Sequence, residues 1–80
     1  MATKTIPAPL PGTFYRRPAP DQPPLKNEGD PVAAGEAVGL IEIMKTFTQV
    51  LAEEGGRIVR FLVENEAAVM AGEPLYELEV

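Results

Sequence analysis

Two stretches of the chain are versions of one another. "VAAGEAVGLIEI" (residues 32–43) aligns with "VMAGEPLYELEV" (residues 69–80), identical at five of twelve positions. Apolar residues stand opposite apolar ones at Val38/Leu75, Ile41/Leu78 and Ile43/Val80. A shorter pair comes earlier, "GTFYR" from Gly12 and "GRIVR" from Gly56. The two offsets are 37 and 44, so the first copy carries seven extra residues (44 − 37 = 7), all within Thr13 to Pro31. Two copies are too few for a solenoid. Each half is too short to bury an apolar face alone, so the two must share one core, as in a small sandwich or flattened barrel.

The local signals are those of strands. Eight of the nine prolines fall at or before residue 31, where they exclude helix and central strand. "TFYR" between them reads as a short strand. Beyond residue 31, short apolar runs alternate with turn signals at Gly35, Gly39, Gly55-Gly56, Asn65 and Gly72. No window carries a sustained helical period with caps. "VLAEEGG" allows one helical turn before its glycines stop it. "IVRFLV" breaks strict alternation between Ile58 and Phe61, which predicts a bulge or strong twist there. Gly35 and Gly72 are expected in turns that need positive φ. The chain reads as all-β, one domain over residues 1–80.

"IEIMKTFTQV" (residues 41–50) reads as a hairpin with Met44 and Lys45 at its turn. Ile43 then faces Thr46, and Ile41 faces Thr48 on the same side of the sheet. Ile41, Ile43 and Val50 are the core candidates of that hairpin. Phe14, Tyr15, Ile58, Phe61, Val63, Leu75 and Leu78 are expected to be core or half-buried. The turn lacks the Gly or Asn that tight hairpins prefer, and a turn that ignores its favoured chemistry points to a functional demand.

Composition removes several classes of function. The chain has no cysteine and no histidine. That excludes disulfides, zinc sites built on those residues, a Cys nucleophile and a His base. The many carboxylates have no phosphate-binding loop or such partner beside them, so catalysis by this chain alone is not expected. No apolar run is long enough to span a bilayer, and the N-terminal residues lack the apolar core of a signal peptide. The expectation is a cytoplasmic, monomeric protein away from the membrane. Net charge is −5: residues 1–27 carry +3 and residues 28–80 carry −8. Such a surface repels phosphate backbones, so no nucleic-acid partner is expected. It would suit solubility, or the steering of a basic partner enzyme.

"IEIMK" at a hairpin between two half-repeats resembles the biotinyl domains of biotin-dependent carboxylases, whose motif is Glu-Ala-Met-Lys-Met. Together with "PGTFYRRPAPDQPP" it looks most like the carrier subunit of bacterial acetyl-CoA carboxylase. The resemblance implies a flattened β-barrel or sandwich of two four-stranded antiparallel sheets with pseudo-twofold symmetry, a barrel-sandwich hybrid. It implies biotin in amide linkage on Lys45, with Glu42, Ile43, Met44 and Thr46 read by a biotin protein ligase. A proline-rich "thumb" maps to about residues 18–25, with Pro20, Asp21, Gln22 and Pro23 at its centre. The seven-residue excess found from the repeat falls on the same segment. The implied partners are that ligase, a biotin carboxylase and a carboxyltransferase, and the implied pathway is fatty acid synthesis. The chain itself would be a non-catalytic carrier, either naturally short or a domain of a longer one. Ile43 and Thr46 replace the family's alanine and second methionine, which leaves room for a carrier serving another acyl-CoA or urea-type carboxylase. Two alternatives share the fold: a lipoyl domain, which usually has aspartate where Met44 stands, and an unmodified interaction module.

Overall fold

The computed structural model describes residues 2–80. Eight strands follow one another: β1 (Thr3–Pro7), β2 (Gly12–Tyr15), β3 (Pro31–Val32), β4 (Ala37–Ile43), β5 (Thr46–Leu51), β6 (Gly56–Phe61), β7 (Ala67–Val69) and β8 (Pro74–Glu79). They form two four-stranded antiparallel sheets, ordered β1-β8-β6-β3 and β5-β4-β2-β7. Advancing each strand by four positions converts one order into the other. That is the pseudo-twofold relation expected from the repeat.

The relation extends to individual bonds. The Gly35 amide donates to the Ala52 carbonyl at 2.7 Å, and its twin Gly72 donates to Ala8 at 2.8 Å. Glu36 accepts the Ala33 amide on its carboxylate at 2.7 Å, and Glu73 accepts the Met70 amide at 3.0 Å. Both turns need positive φ, supplied by Gly35 at 89° and Gly72 at 85°. The same "AGE" triplet therefore builds the same turn twice. "VLAEEGG" forms no helix; its first residues finish β5. In the β6–β8 pairing the register shifts between Ile58 and Arg60, the irregularity that the broken alternation implied.

The core lies between the sheets. Phe14, Val38, Ile41, Ile58, Leu75 and Leu78 are all buried there, with Tyr76. Burying side chains of this size contributes roughly 1.5–3 kcal/mol each. The halves fill the space differently. A side chain on Gly39 would collide with the Phe14 ring. At the twin positions the large residue is Tyr76 and the smaller one Ile58. Each half thus pairs one bulky and one lesser residue, in opposite places.

One expected core residue is not in the core. Ile43 is 38% exposed, whereas Ile41 and Val50 are buried. Ile43 keeps the inward side of its strand and lies over Gly12, but it is the last strand residue before the turn. Solvent reaches it from the hairpin end.

The hairpin occupies one end of the molecule. At the other end the Ala2 and Val80 backbones exchange hydrogen bonds of 3.2 and 2.9 Å. Lys4, near that end of β1, pairs with Glu54, which follows the far end of β5. The first and last residues described therefore lie together, away from Lys45, as the symmetry requires.

Candidate functional site

β4 and β5 pair in the register Ile43↔Thr46, Glu42↔Phe47 and Ile41↔Thr48, so Met44 and Lys45 are the only two turn residues. Both have positive φ, 50° and 67°. This is the sense of a type I′ turn, whose twist matches that of the flanking strands. Left-handed backbone costs non-glycine residues roughly 1–2 kcal/mol each. The pairing of the flanking strands holds the turn in that conformation. Met44 is 93% exposed there. Thr46 is exposed at the first position of β5.

The three lysines are held differently. Lys4 bonds both oxygens of Glu54, at 2.9 and 3.2 Å. Lys26 is largely covered and held by Glu36 at 3.1 Å and by the Pro31 carbonyl at 3.0 Å. Among the described residues, Lys45 is the one lysine with no ion-pair or hydrogen-bond partner. Its amine is free for an incoming reagent.

Behind the tip, the outer face of the β5-β4-β2-β7 sheet carries an organised patch. The Tyr15 hydroxyl donates to the Glu42 carboxylate at 2.8 Å, and the Tyr15 and Phe47 rings lie 5.7 Å apart. The hydrogen bond to Glu42, then burial and the Glu42 and Glu66 charges, raise the Tyr15 hydroxyl above its usual pKa. It therefore stays a neutral donor. Glu42, expected to serve ligase recognition, is thus bonded within the domain.

The loop between β2 and β3 arches over this patch. Its base is closed by the Leu25 amide donating to the Arg16 carbonyl at 2.9 Å. The Arg16 guanidinium stacks on Phe61 at 4.3 Å, and the Arg16 amide donates to Asn65 at 2.8 Å. Between loop and sheet lies a cavity of about 280 Å³, lined by Tyr15 and Phe47 below, Pro18, Ala19 and Pro20 above, and Arg17 and Glu66 at the sides. Of the residues expected at the centre of the loop, Pro20 lines this cavity. Gln22 shapes the tip, its amide donating to Ala19 and its carbonyl accepting Arg17. Asp21 and Pro23 are exposed and do not line it.

Sequence reasoning missed Tyr15, Phe47 and Glu66 as part of this patch. For the first two a signal existed. Phe14 faces inward, so Tyr15 faces outward, and the hairpin register sets Phe47 opposite Glu42. Nothing local marks Glu66, which comes from the β6–β7 connection.

The chain that presents this unpaired amine on a two-residue turn also matches known proteins. Residues 4–78 match the family model described as "Biotin-requiring enzyme". The chain belongs to this family. It is 41% identical over 69 residues to the biotin carboxyl carrier protein of acetyl-CoA carboxylase 2, chloroplastic, of Arabidopsis thaliana, covering 86% of this chain and 27% of that protein. It is 34% identical over 74 residues to the biotin carboxyl carrier protein of acetyl-CoA carboxylase of Nostoc sp., covering 92% of this chain and 41% of that protein. Among solved structures, a single-chain, multi-domain long-chain acyl-CoA carboxylase superposes with a TM-score of 0.77 at 28% identity, over 94% of this chain and 7% of that one. The family member described here thus spans well under half the length of these curated relatives.

Proposed function

We propose that this chain is the biotin-carrying domain of a biotin-dependent carboxylase, with biotin attached to Lys45. The observation that carries this reading is the unpaired Lys45 amine on the positive-φ turn. The relatives named as biotin carboxyl carrier proteins supply the cofactor. The donor fits the group: an amide needs one accessible amine, and the tip presents one. A lysine side chain in water carries a proton at neutral pH. A biotin protein ligase must therefore take its proton and present an activated biotin carboxyl. The Lys45 nitrogen then bonds the acyl carbon, and the activating group departs with its electron pair. Acylation removes the lysine charge. Once attached, biotin supplies a site that accepts and gives up carboxylate.

This chain's own residues contribute position. The turn aims Lys45 outward, and Met44 beside it offers an adaptable thioether to the ligase. Ile43 and Thr46 complete the surface the ligase would read. Biotin carboxylase and a carboxyltransferase of an acetyl-CoA or related acyl-CoA carboxylase are the partners visited in turn. The domain itself acts as a monomeric, non-catalytic carrier in the cytoplasm. The β2–β3 loop corresponds to the thumb. Phe47, on the floor of its cavity, stands two residues from Lys45, roughly 7 Å along the strand, within reach of a lysine-borne tether.

Intact mass after treatment with a biotin ligase tests the assignment. One biotin is expected on the wild-type chain and none on Lys45→Arg, with folding unchanged because the position is exposed. A lipoyl adduct instead, or biotin mapped to Lys4 or Lys26, would overturn it.

A further inference from the structure

A second cavity, of about 160 Å³, lies at the seam between the two sheets. There β1 and β5, the outermost strands of their respective sheets, do not pair with one another. Its walls are apolar, from Ile6, Pro9 and Leu51, and Tyr76 lines it from the core. Glu53 and Glu54 form its rim.

Tyr76 is the unusual member. The residue is only 1% exposed, yet its hydroxyl makes no hydrogen bond to any described residue. Among the described residues the one enclosed polar side-chain atom lacking a partner is Arg16 Nε, so the Tyr76 hydroxyl is not fully enclosed. Tyr76 lines the cavity, and the charges of Glu53 and Glu54 reach its hydroxyl. Buried tyrosine hydroxyls normally find a partner. Burial, then the charges of Glu53 and Glu54, raise its pKa above the ordinary 10.0, so it remains a neutral hydroxyl that can donate and accept.

The rim already shows which charge belongs there. Glu54 holds the ammonium of Lys4 at 2.9 Å. Glu53 is exposed and has no partner among the described residues. The cavity is comparable in size to an engineered one of about 150 Å³ that admits benzene. That is room for one side chain and too little for a peptide segment. The fitting occupant has an apolar stem for Ile6, Pro9 and Leu51 and a cationic head with several donors. A guanidinium has five N–H donors in a plane, so a single head can bond a carboxylate and a hydroxyl oxygen at once. An ammonium is a compact, strongly hydrated point charge and fits that pair less well.

We propose that the seam cavity is a socket for an arginine side chain projecting from a basic partner protein. The strongly acidic charge of residues 28–80 draws such a surface in. β5 carries Lys45 before its first residue and the socket at its far end. Val50, which lines the socket, is five residues from Lys45, roughly 17 Å along the strand. A partner could grip the domain here and leave the Lys45 tether free to move.

Titration of the ¹⁵N-labelled chain with n-butylguanidinium, followed by amide chemical shifts, tests the socket. Saturable shifts are expected at Ile6, Leu51, Glu53, Glu54 and Tyr76, with n-butylammonium binding more weakly. Tyr76→Phe and Glu53→Gln should each weaken binding about three- to tenfold, the loss of one hydrogen-bonding group. Glu64→Gln, which does not line the cavity, should leave it unchanged. The native amide spectrum of each variant checks its fold. Glu53 is exposed, so Glu53→Gln decides the matter should Tyr76→Phe perturb the core. Shifts scattered over the acidic surface, equal affinity in Glu53→Gln, or n-butylammonium binding as tightly would each overturn the proposal.

Discussion

At the tip, two ordinary side chains hold a backbone conformation that Asn or Gly would adopt more readily. Met44 has φ 50° and is 93% exposed, so packing does not hold it there. Met44→Asn should raise stability by about 0.5–1 kcal/mol in a urea titration, because Asn visits the left-handed region at lower cost. If the ligase reads the Met44 thioether, the same change should also slow biotinylation. Stability falling on this substitution would mean that Met44 contributes packing at the tip. A turn retained against its local preference fits a position kept for recognition.

The turn-forming elements carry the clearest pH dependence. The Glu36 carboxylate accepts the Ala33 amide and lies 3.1 Å from the Lys26 ammonium. The Ala33 hydrogen bond first, then the bond to Lys26, lower its pKa from the ordinary 4.5. A depressed folded-state value contributes stability above the unfolded value and loses it as pH falls through the folded one. Stability should therefore decline below about pH 4.5, and Glu36→Gln should flatten that part of the profile, as read by thermal melting from pH 3 to 6. The β2–β3 loop behaves differently. Its twin connection, residues 62–66 between β6 and β7, manages without the extra length. Deleting about seven residues within Arg17 to Leu25 should leave the β-core folded, because closure entropy changes slowly with loop length. Carboxyl transfer should fall while biotinylation of Lys45 persists, if the cavity above Phe47 serves the tethered group. A collapse of the melting temperature would instead place the loop within the core.

Across the whole molecule, one fold is packed in two ways. Phe14 with Gly39 answers Ile58 with Tyr76. Gly39→Ala should destabilise by about 1–3 kcal/mol through overpacking against Phe14. Phe14→Ile, the solution used by the other half, should recover part of that loss when combined with it. Denaturant midpoints of the two single variants and the double variant measure the coupling. Strict additivity would show that the clash lies with the Tyr15 carbonyl, 2.8 Å from the added carbon, rather than with the ring. For a chain of 80 residues, whose total stability is on the order of 4–12 kcal/mol, either result is a large share.

Local patterns along the chain determined a great deal. Alternation, turn glycines and the 37-residue offset between half-repeats specified strands, twin turns and the Met44-Lys45 hairpin register. These are legible because strand period and turn chemistry act over a few residues, and a repeat reports its own symmetry. Tertiary structure alone decided which faces are covered and which distant residues meet. Ile43 follows the inward alternation of Ile41, yet its place at the strand end leaves it partly in solvent. The cavity beneath the proline-rich loop joins Tyr15, Phe47 and Glu66, and the seam cavity joins Ile6, Glu53 and Tyr76. Those residues are separated by tens of positions, and only the stacking of the two sheets brings them together. No local propensity encodes that stacking, because it arises from burial of both inner faces at once.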